Sequence, residues 1–289
     1  MIYLLLSILT SSSIFIIFKL FDKYNIDRLQ AIIFNYGVAC TCGIIAYQKT
    51  ININELPQYN WFYFTIGLGI IFISVFNIMA ITAQRNGLSV VAVAGKMSVV
   101  IPIIFGLLLY NETIGWLKAL GIILALISIY LVTVNPEGIK KGASLLFPLL
   151  VFIGSGFIDT SLKFLQTNYV QENEVALFSA SIFGAAFIIG ILVLFFQIIK
   201  KTFVFKFKNL VGGVSLGIIN YFSIYFLIKA IGYKSLESST VFTINNVSIL
   251  LTTAILGVIL FKEQLNNKNK LGILLASIGI VLVSVSGKF

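Results

Sequence analysis

The 289-residue chain has no histidine, two cysteines, four prolines and only ten acidic residues. Without histidine it lacks the commonest zinc ligand and any imidazole proton relay. Cys40 and Cys42 stand as C-x-C inside an apolar run and read as small buried residues rather than a metal or redox pair. Charged residues make up 10% of the chain, whereas a soluble domain carries about a quarter, so an ordinary water-soluble core is excluded. Nor is there a nucleophile set beside a base, a metal cluster or a phosphate-cradling loop. An enzyme is therefore not expected, and no cofactor or metal is expected either.

What is present is apolar sequence in long blocks. Residues of hydrophobic type form 59% of the chain and the mean hydropathy is +1.04. Blocks of roughly 18–25 residues, long enough to span a bilayer, fall near 2–20, 29–47, 60–83, 88–110 and 114–134. A second set falls near 143–166, 174–198, 210–232, 237–261 and 269–287. Lys19 and Lys23 follow the first block and no basic segment precedes it, so it is expected to stay as a span rather than leave as a signal peptide.

The net charge of +10 is distributed as a membrane-orientation code, and a nucleic-acid partner is not expected. Odd-numbered loops hold twelve basic residues: Lys23, Arg28, Arg85, Lys140, Lys141, Lys200, Lys201, Lys206, Lys208, Lys262, Lys268 and Lys270. The termini and even loops hold four: Lys49, Lys118, Lys234 and Lys288. Basic loops favour the cytoplasm, which puts odd loops inside and both termini outside.

The two sets of spans are copies. Tyr110-Asn111-Glu112 followed by Gly121-Ile122 returns as Phe261-Lys262-Glu263 followed by Gly272-Ile273, a shift of 151. The same shift carries Gly106 onto Gly257, Leu124 onto Leu275, Ala125 onto Ala276 and Leu131 onto Leu282. Upstream, a shift of 144 carries Ser11 onto Ser155, Ile14 onto Ile158, Lys19 onto Lys163 and Phe34 onto Phe178. Five spans per copy is an odd number, so the second copy enters the membrane from the opposite face. The charge code has switched to match. The expected fold is an all-α polytopic membrane protein of ten transmembrane helices, arranged as two inverted five-helix repeats over residues 1–135 and 143–287.

These residues resemble the drug/metabolite transporter superfamily, specifically ten-helix permeases built from two EamA-type repeats. The resemblance spans essentially the whole chain. It rests most on Glu112, Glu263, Gly121 and Gly272, and less on Ala83, Ala230, Ser89, Ser238 and Ser239. It implies a multi-pass carrier of small metabolites in the bacterial inner membrane, often an exporter of amino acids or other organic solutes; related carriers move sugar phosphates and nucleotide sugars. The small multidrug exporters of the superfamily use a glutamate in the first helix. The first span here offers only Lys19, with Asp22 just beyond, so export of cationic drugs is not supported.

Ionisable groups inside spans mark candidate function, because each costs at least ~2.5–3.5 kcal/mol on insertion scales. Lys96 lies eight positions after Leu88, roughly 12 Å along the helix and near the middle of a ~30 Å hydrocarbon core. It reads as a substrate or coupling residue, against the alternative of a snorkelled or internally paired lysine. Asn245 and Asn246 fall opposite Ala94 and Gly95 in the second repeat and would complement an anion held by the lysine. Asp159 and Lys163 are four apart and share a helix face. They read either as an intrahelical pair or as a coupling or gating site, Asp159 being the only acidic residue deep in a span. Asn77, Asn220, Tyr221 and Tyr225 offer further donors and acceptors to a polar cavity, or serve as glue between helices. Lys19 and Lys229 sit near span ends and read as snorkelling. Glu112 and Glu263 read as structural carboxylates at helix starts. Pro102, opposite Thr253, is expected to loosen or kink the fourth span.

The sequence therefore points to a secondary transporter, with export favoured, of a small anionic or zwitterionic metabolite: an amino acid, organic acid or phosphorylated compound. Its partners would be that small molecule and the lipid bilayer, with the chain acting as monomer or homodimer. A flippase-like translocator of a lipid or lipid-linked phosphate is the alternative, since a basic midplane cavity could hold a lipid phosphate.

Overall fold

A computed structural model describes residues 2–86, 94–110, 115–133, 145–201, 204–232, 236–261 and 267–286. Among them the regular structure is helical, with no strand. In hydrocarbon every backbone donor and acceptor must be satisfied locally, and apolar blocks of this length meet that demand as helices. In the first repeat α1 runs Ile2–Lys23, α2 Arg28–Tyr47, α3 Phe62–Asn86, α4 Val100–Tyr110 and α5 Trp116–Thr133. In the second α6 runs Leu146–Asn168, α7 Val175–Ile199, α8 Phe207–Ile231, α9 Ser238–Phe261 and α10 Asn267–Ser286. A short 3₁₀ segment, Ile53–Gln58, precedes α3.

Six of these, α2, α3 and α6–α9, are long and apolar enough to cross a membrane on length and composition alone. Ile2–Phe18, Ala94–Leu109 and Trp116–Leu131 are shorter apolar stretches. Glu112 and Glu263 lie outside the described residues, as does the side chain of Lys19.

The repeats do not form separate bundles. α2 packs on α7, α4 on α9 and α5 on α10, each helix against its own copy. Most of the remaining principal contacts come in matched pairs: α1 on α8 with α6 on α3, α2 on α8 with α7 on α3, and α1 on α9 with α6 on α4. That is the pattern a two-fold pseudo-axis between inverted repeats produces. Small residues permit the close approaches. A Cβ on Gly213 would lie 2.8 Å from the Ala31 carbonyl, and one on Gly121 would lie 3.0 Å from the Gly279 carbonyl.

Polar ties at the helix ends sort the loops into two faces. On one, Trp61 Nε1 donates to Glu174 Oε2 at 2.9 Å, Lys229 Nζ donates to the Glu172 carbonyl at 2.9 Å, and the Tyr3 and Phe226 rings stack. This even-loop face carries the 3₁₀ segment. On the other, Lys208 Nζ donates to the Tyr24 carbonyl, Asp27 N–H to Asn209 Oδ1, and Asn269 Nδ2 to the Leu131 carbonyl. This is the basic, odd-loop face. Asp27 also caps α2, its side chain accepting from Gln30 N–H at 3.0 Å.

Candidate functional site

The fourth span is broken where its lysine lies. A helical turn at 94–97 gives way to a non-helical turn at Ser98–Val99 before α4 resumes. Pro102 is the cause: it has no N–H for the Ser98 carbonyl four residues back, and its ring crowds that carbonyl. Ser98 O instead accepts from Ile101 N–H at 2.9 Å, a tighter three-residue bond. The expected kink is thus present, one turn from Lys96.

Lys96 points into a meeting of four helices. Its Nζ donates to Asn246 Oδ1 of α9 at 3.1 Å and lies 5.6 Å from the ring centroid of Phe15 on α1. The Asn246 amide is oriented by its own helix, since Nδ2 donates to the Phe242 carbonyl at 3.1 Å and turns the oxygen toward the lysine. Asp159 of α6 is the carboxylate that acts electrostatically on Lys96. It takes no hydrogen bond from any described residue, so its lone pairs stay available. Gly95 adds room: a Cβ there would meet nothing closer than 3.9 Å from Met79 and Val151.

The sequence pairing of Asp159 with Lys163 is not what the geometry displays. Lys163 Nζ donates at 3.2 Å to the Ile231 carbonyl at the end of α8, where a cation meets the negative end of the helix dipole. The charge facing Asp159 belongs to another helix. Lys229, read as snorkelling, also reaches Glu172 Oε1 at 3.4 Å on the even-loop face.

The other candidates divide between two places. Asn245 is next to Asn246 and buried, with its Oδ1 unpartnered. Asn77 spends its Nδ2 on the Ile73 carbonyl of its own helix at 2.7 Å. Asn220 lies elsewhere, its Nδ2 bonded to Asn35 Oδ1 of α2 at 3.1 Å, so it joins helices. Tyr221 is fully buried in the aromatic cluster with Tyr36, Phe72 and Phe183, its hydroxyl unpartnered, and it stacks on Tyr225 at 5.7 Å. Tyr225 in turn touches Phe226, close to the start of α1 on the even-loop face.

Phe15 was missed, and the signal for it was available. The 144 shift that carries Ser11 onto Ser155 also carries Phe15 onto Asp159. The 151 shift places Lys96 within one residue of Asn246. The site thus consists of two pseudo-equivalent pairs, from α1 with α6 and from the turn that precedes α4 with α9, gathered near the pseudo-axis. Its chemistry is asymmetric: a cation, an amide, a carboxylate and an aromatic face.

A fold of paired inverted repeats is one that membrane carriers use. The EamA-like transporter family matches residues 1–134 and 145–285, and the chain belongs to that family. It is a multi-pass membrane protein of a transporter family. It is similar to an uncharacterised protein of Haemophilus influenzae, 29% identical over 279 residues, covering 94% of this chain and 93% of the relative. It also superposes on a protein of known crystal structure with a TM-score of 0.73, covering 99% of this chain and 96% of the other; at 11% identity this speaks to the fold alone.

Proposed function

We propose that the chain is a secondary carrier of a small anionic or zwitterionic metabolite, working by alternating access around the Lys96 site and without enzymatic activity. The observation that carries this reading is the Lys96 ammonium, bonded within a span to Asn246 and within electrostatic reach of the Asp159 carboxylate. A fixed cation and amide at a midplane cavity favour a carboxylate or phosphate, and a carboxylate opposite them favours a substrate that also bears an ammonium. Zwitterions such as amino acids therefore suit the site best. Export through the bacterial inner membrane, with odd loops cytoplasmic, follows from family resemblance and loop charge. The carrier would act as monomer or homodimer.

Thermal stabilisation of the detergent-purified protein tests this, with amino acids, organic acids, sugar phosphates, lipid head groups and cationic drugs as the panel. A ligand that binds only the folded state raises the melting temperature by mass action. Zwitterions or anions should stabilise. Stabilisation by cationic drugs alone would refute the assignment.

A further inference from the structure

The site is walled off unequally on its two sides. Toward the even-loop face, Leu4, Ile8, Ile103, Ile122, Leu227 and Phe242 form one buried apolar cluster above Lys96. The shifts of 144 and 151, with one of 148 that carries Leu68-Gly69-Ile70 onto Leu216-Gly217-Ile218 in α3 and α8, give five of these described equivalents toward the basic face: Pro148, Phe152, Ala254, Ile273 and Met79. All five are only half-buried. Three other equivalents, Leu250, Ser98 and Thr82, stay buried, so the difference is one of degree along part of the path rather than a wholly empty mouth.

Over the closed side lies an ion pair that loop-charge counting had assigned only to orientation. Lys118, in the first turn of α5, is 3% exposed and bonds the carboxylate of Glu237, immediately before α9. The pair joins the first repeat to the second. Glu237 also starts the helix that carries Asn246, its carbonyl accepting from Val241 N–H at 3.1 Å. The nine residues from Glu237 to Asn246 span about 13 Å of helix, with Phe242 of the plug between them. A movement of the outer end of α9 away from α5 would open the plug and would have to separate these charges. The cluster position equivalent to Lys118 in the second repeat is Asn269, which bonds the Leu131 carbonyl and carries no charge.

We infer that Lys118 and Glu237 form the latch that holds the even-loop face of the carrier shut. This rests on the carrier reading above but not on the identity of the substrate. A buried lysine gives up hydration that an ion-pair partner helps to compensate, so breaking the pair raises the energy of the closed state relative to one in which both groups reach water. Neutralising either partner should therefore shift the population toward opening on that side.

The test uses the full chain in detergent, with Cys40→Ala and Cys42→Ala as background. Two reporters at pseudo-equivalent positions read the two mouths: Ile8→Cys for the even-loop face and Phe152→Cys for the basic face. Labelling rates with a hydrophilic thiol reagent are measured in Lys118→Met, in Glu237→Gln and in the charge swap Lys118→Glu with Glu237→Lys. The latch predicts that each single change raises the Ile8→Cys rate about tenfold and lowers the Phe152→Cys rate, and that the swap restores both. An unchanged Ile8→Cys rate in both single variants overturns the latch and leaves the carrier reading standing. A rise at both reporters that the swap does not reverse is general loosening and overturns it too. A rise at Ile8→Cys with Phe152→Cys unaffected supports the latch while removing reciprocal access from the proposed function.

Discussion

Replacing Lys96 by methionine keeps the length and apolar stem of the side chain and deletes only its charge. In the apo protein the losses and gains nearly balance. The Asn246 oxygen loses a charged donor at 3.1 Å, worth about 1.5–3 kcal/mol, and the contact with Phe15 loses about 0.5–2 kcal/mol. Against this, an ammonium no longer has to be held in a span, which offsets ~2.5–3.5 kcal/mol. The melting temperature of the unliganded variant should thus lie near that of the wild type. Ligand binding has no such compensation. Losing a charge-assisted bond of about 1.5–3 kcal/mol to a bound carboxylate or phosphate weakens affinity roughly 10- to 150-fold. At a ligand concentration of 100 Kd the wild type gains about 2.7 kcal/mol; a hundredfold weaker variant gains about 0.4 kcal/mol. The ligand-induced melting shift should therefore shrink about sixfold. Asp159→Asn then separates substrate classes, weakening a zwitterion while leaving a simple anion bound as well or better. An anion-induced shift of equal size in wild type and Lys96→Met would refute the placement of the site.

Three further predictions concern the scaffold. Asn220→Leu strands the Asn35 oxygen between α2 and α8 and should cost about 1–3 kcal/mol in thermal stability, with the ligand-induced shift intact; loss of ligand binding would instead return Asn220 to the site. Pro102→Ala restores the missing N–H and should stabilise the protein by up to about 3 kcal/mol while slowing proteoliposome flux; unchanged flux would mean that the break has no part in transport. Gly213→Ala and Gly67→Ala form a matched comparison. The first forces a Cβ to within 2.5 Å of Phe34 Cβ and should destabilise by about 1–3 kcal/mol. The second meets nothing within 4 Å and should stabilise by about 0.5–1 kcal/mol, so equal melting temperatures would contradict the packing of α2 on α8.

The spans and the duplication were legible because bilayer thickness and backbone satisfaction leave few solutions for long apolar blocks. Pro102 was legible because its effect is local. The partners of Asp159 were not, since spacing along one helix reveals which residues share a face but not which helix supplies the opposing charge. Lys163 has the right spacing, yet its long stem carries the ammonium to a helix end instead. Asn220, Tyr221 and Tyr225 were grouped because polar residues in spans look alike in sequence. Rotation about α8 sends Asn220 to Asn35 and leaves Tyr221 in an aromatic core. Phe15 is the instructive omission, because an aromatic in a span reads as lipid-facing until its repeat partner is considered.

The interleaving of the repeats has a consequence for synthesis. α2, α4 and α5 find their own copies only in the second half of the chain, and α1 and α3 also pack chiefly on second-half helices. Spans leaving the insertion machinery first must therefore wait in lipid, with Lys96 unmet by Asn246, until some hundred and fifty residues more have been made. Packing of small residues and interhelical bonds can begin only then. Half a chain is accordingly not half a protein: expressed alone, either repeat should be cleared by quality control, while the two supplied together as separate polypeptides should protect one another and assemble.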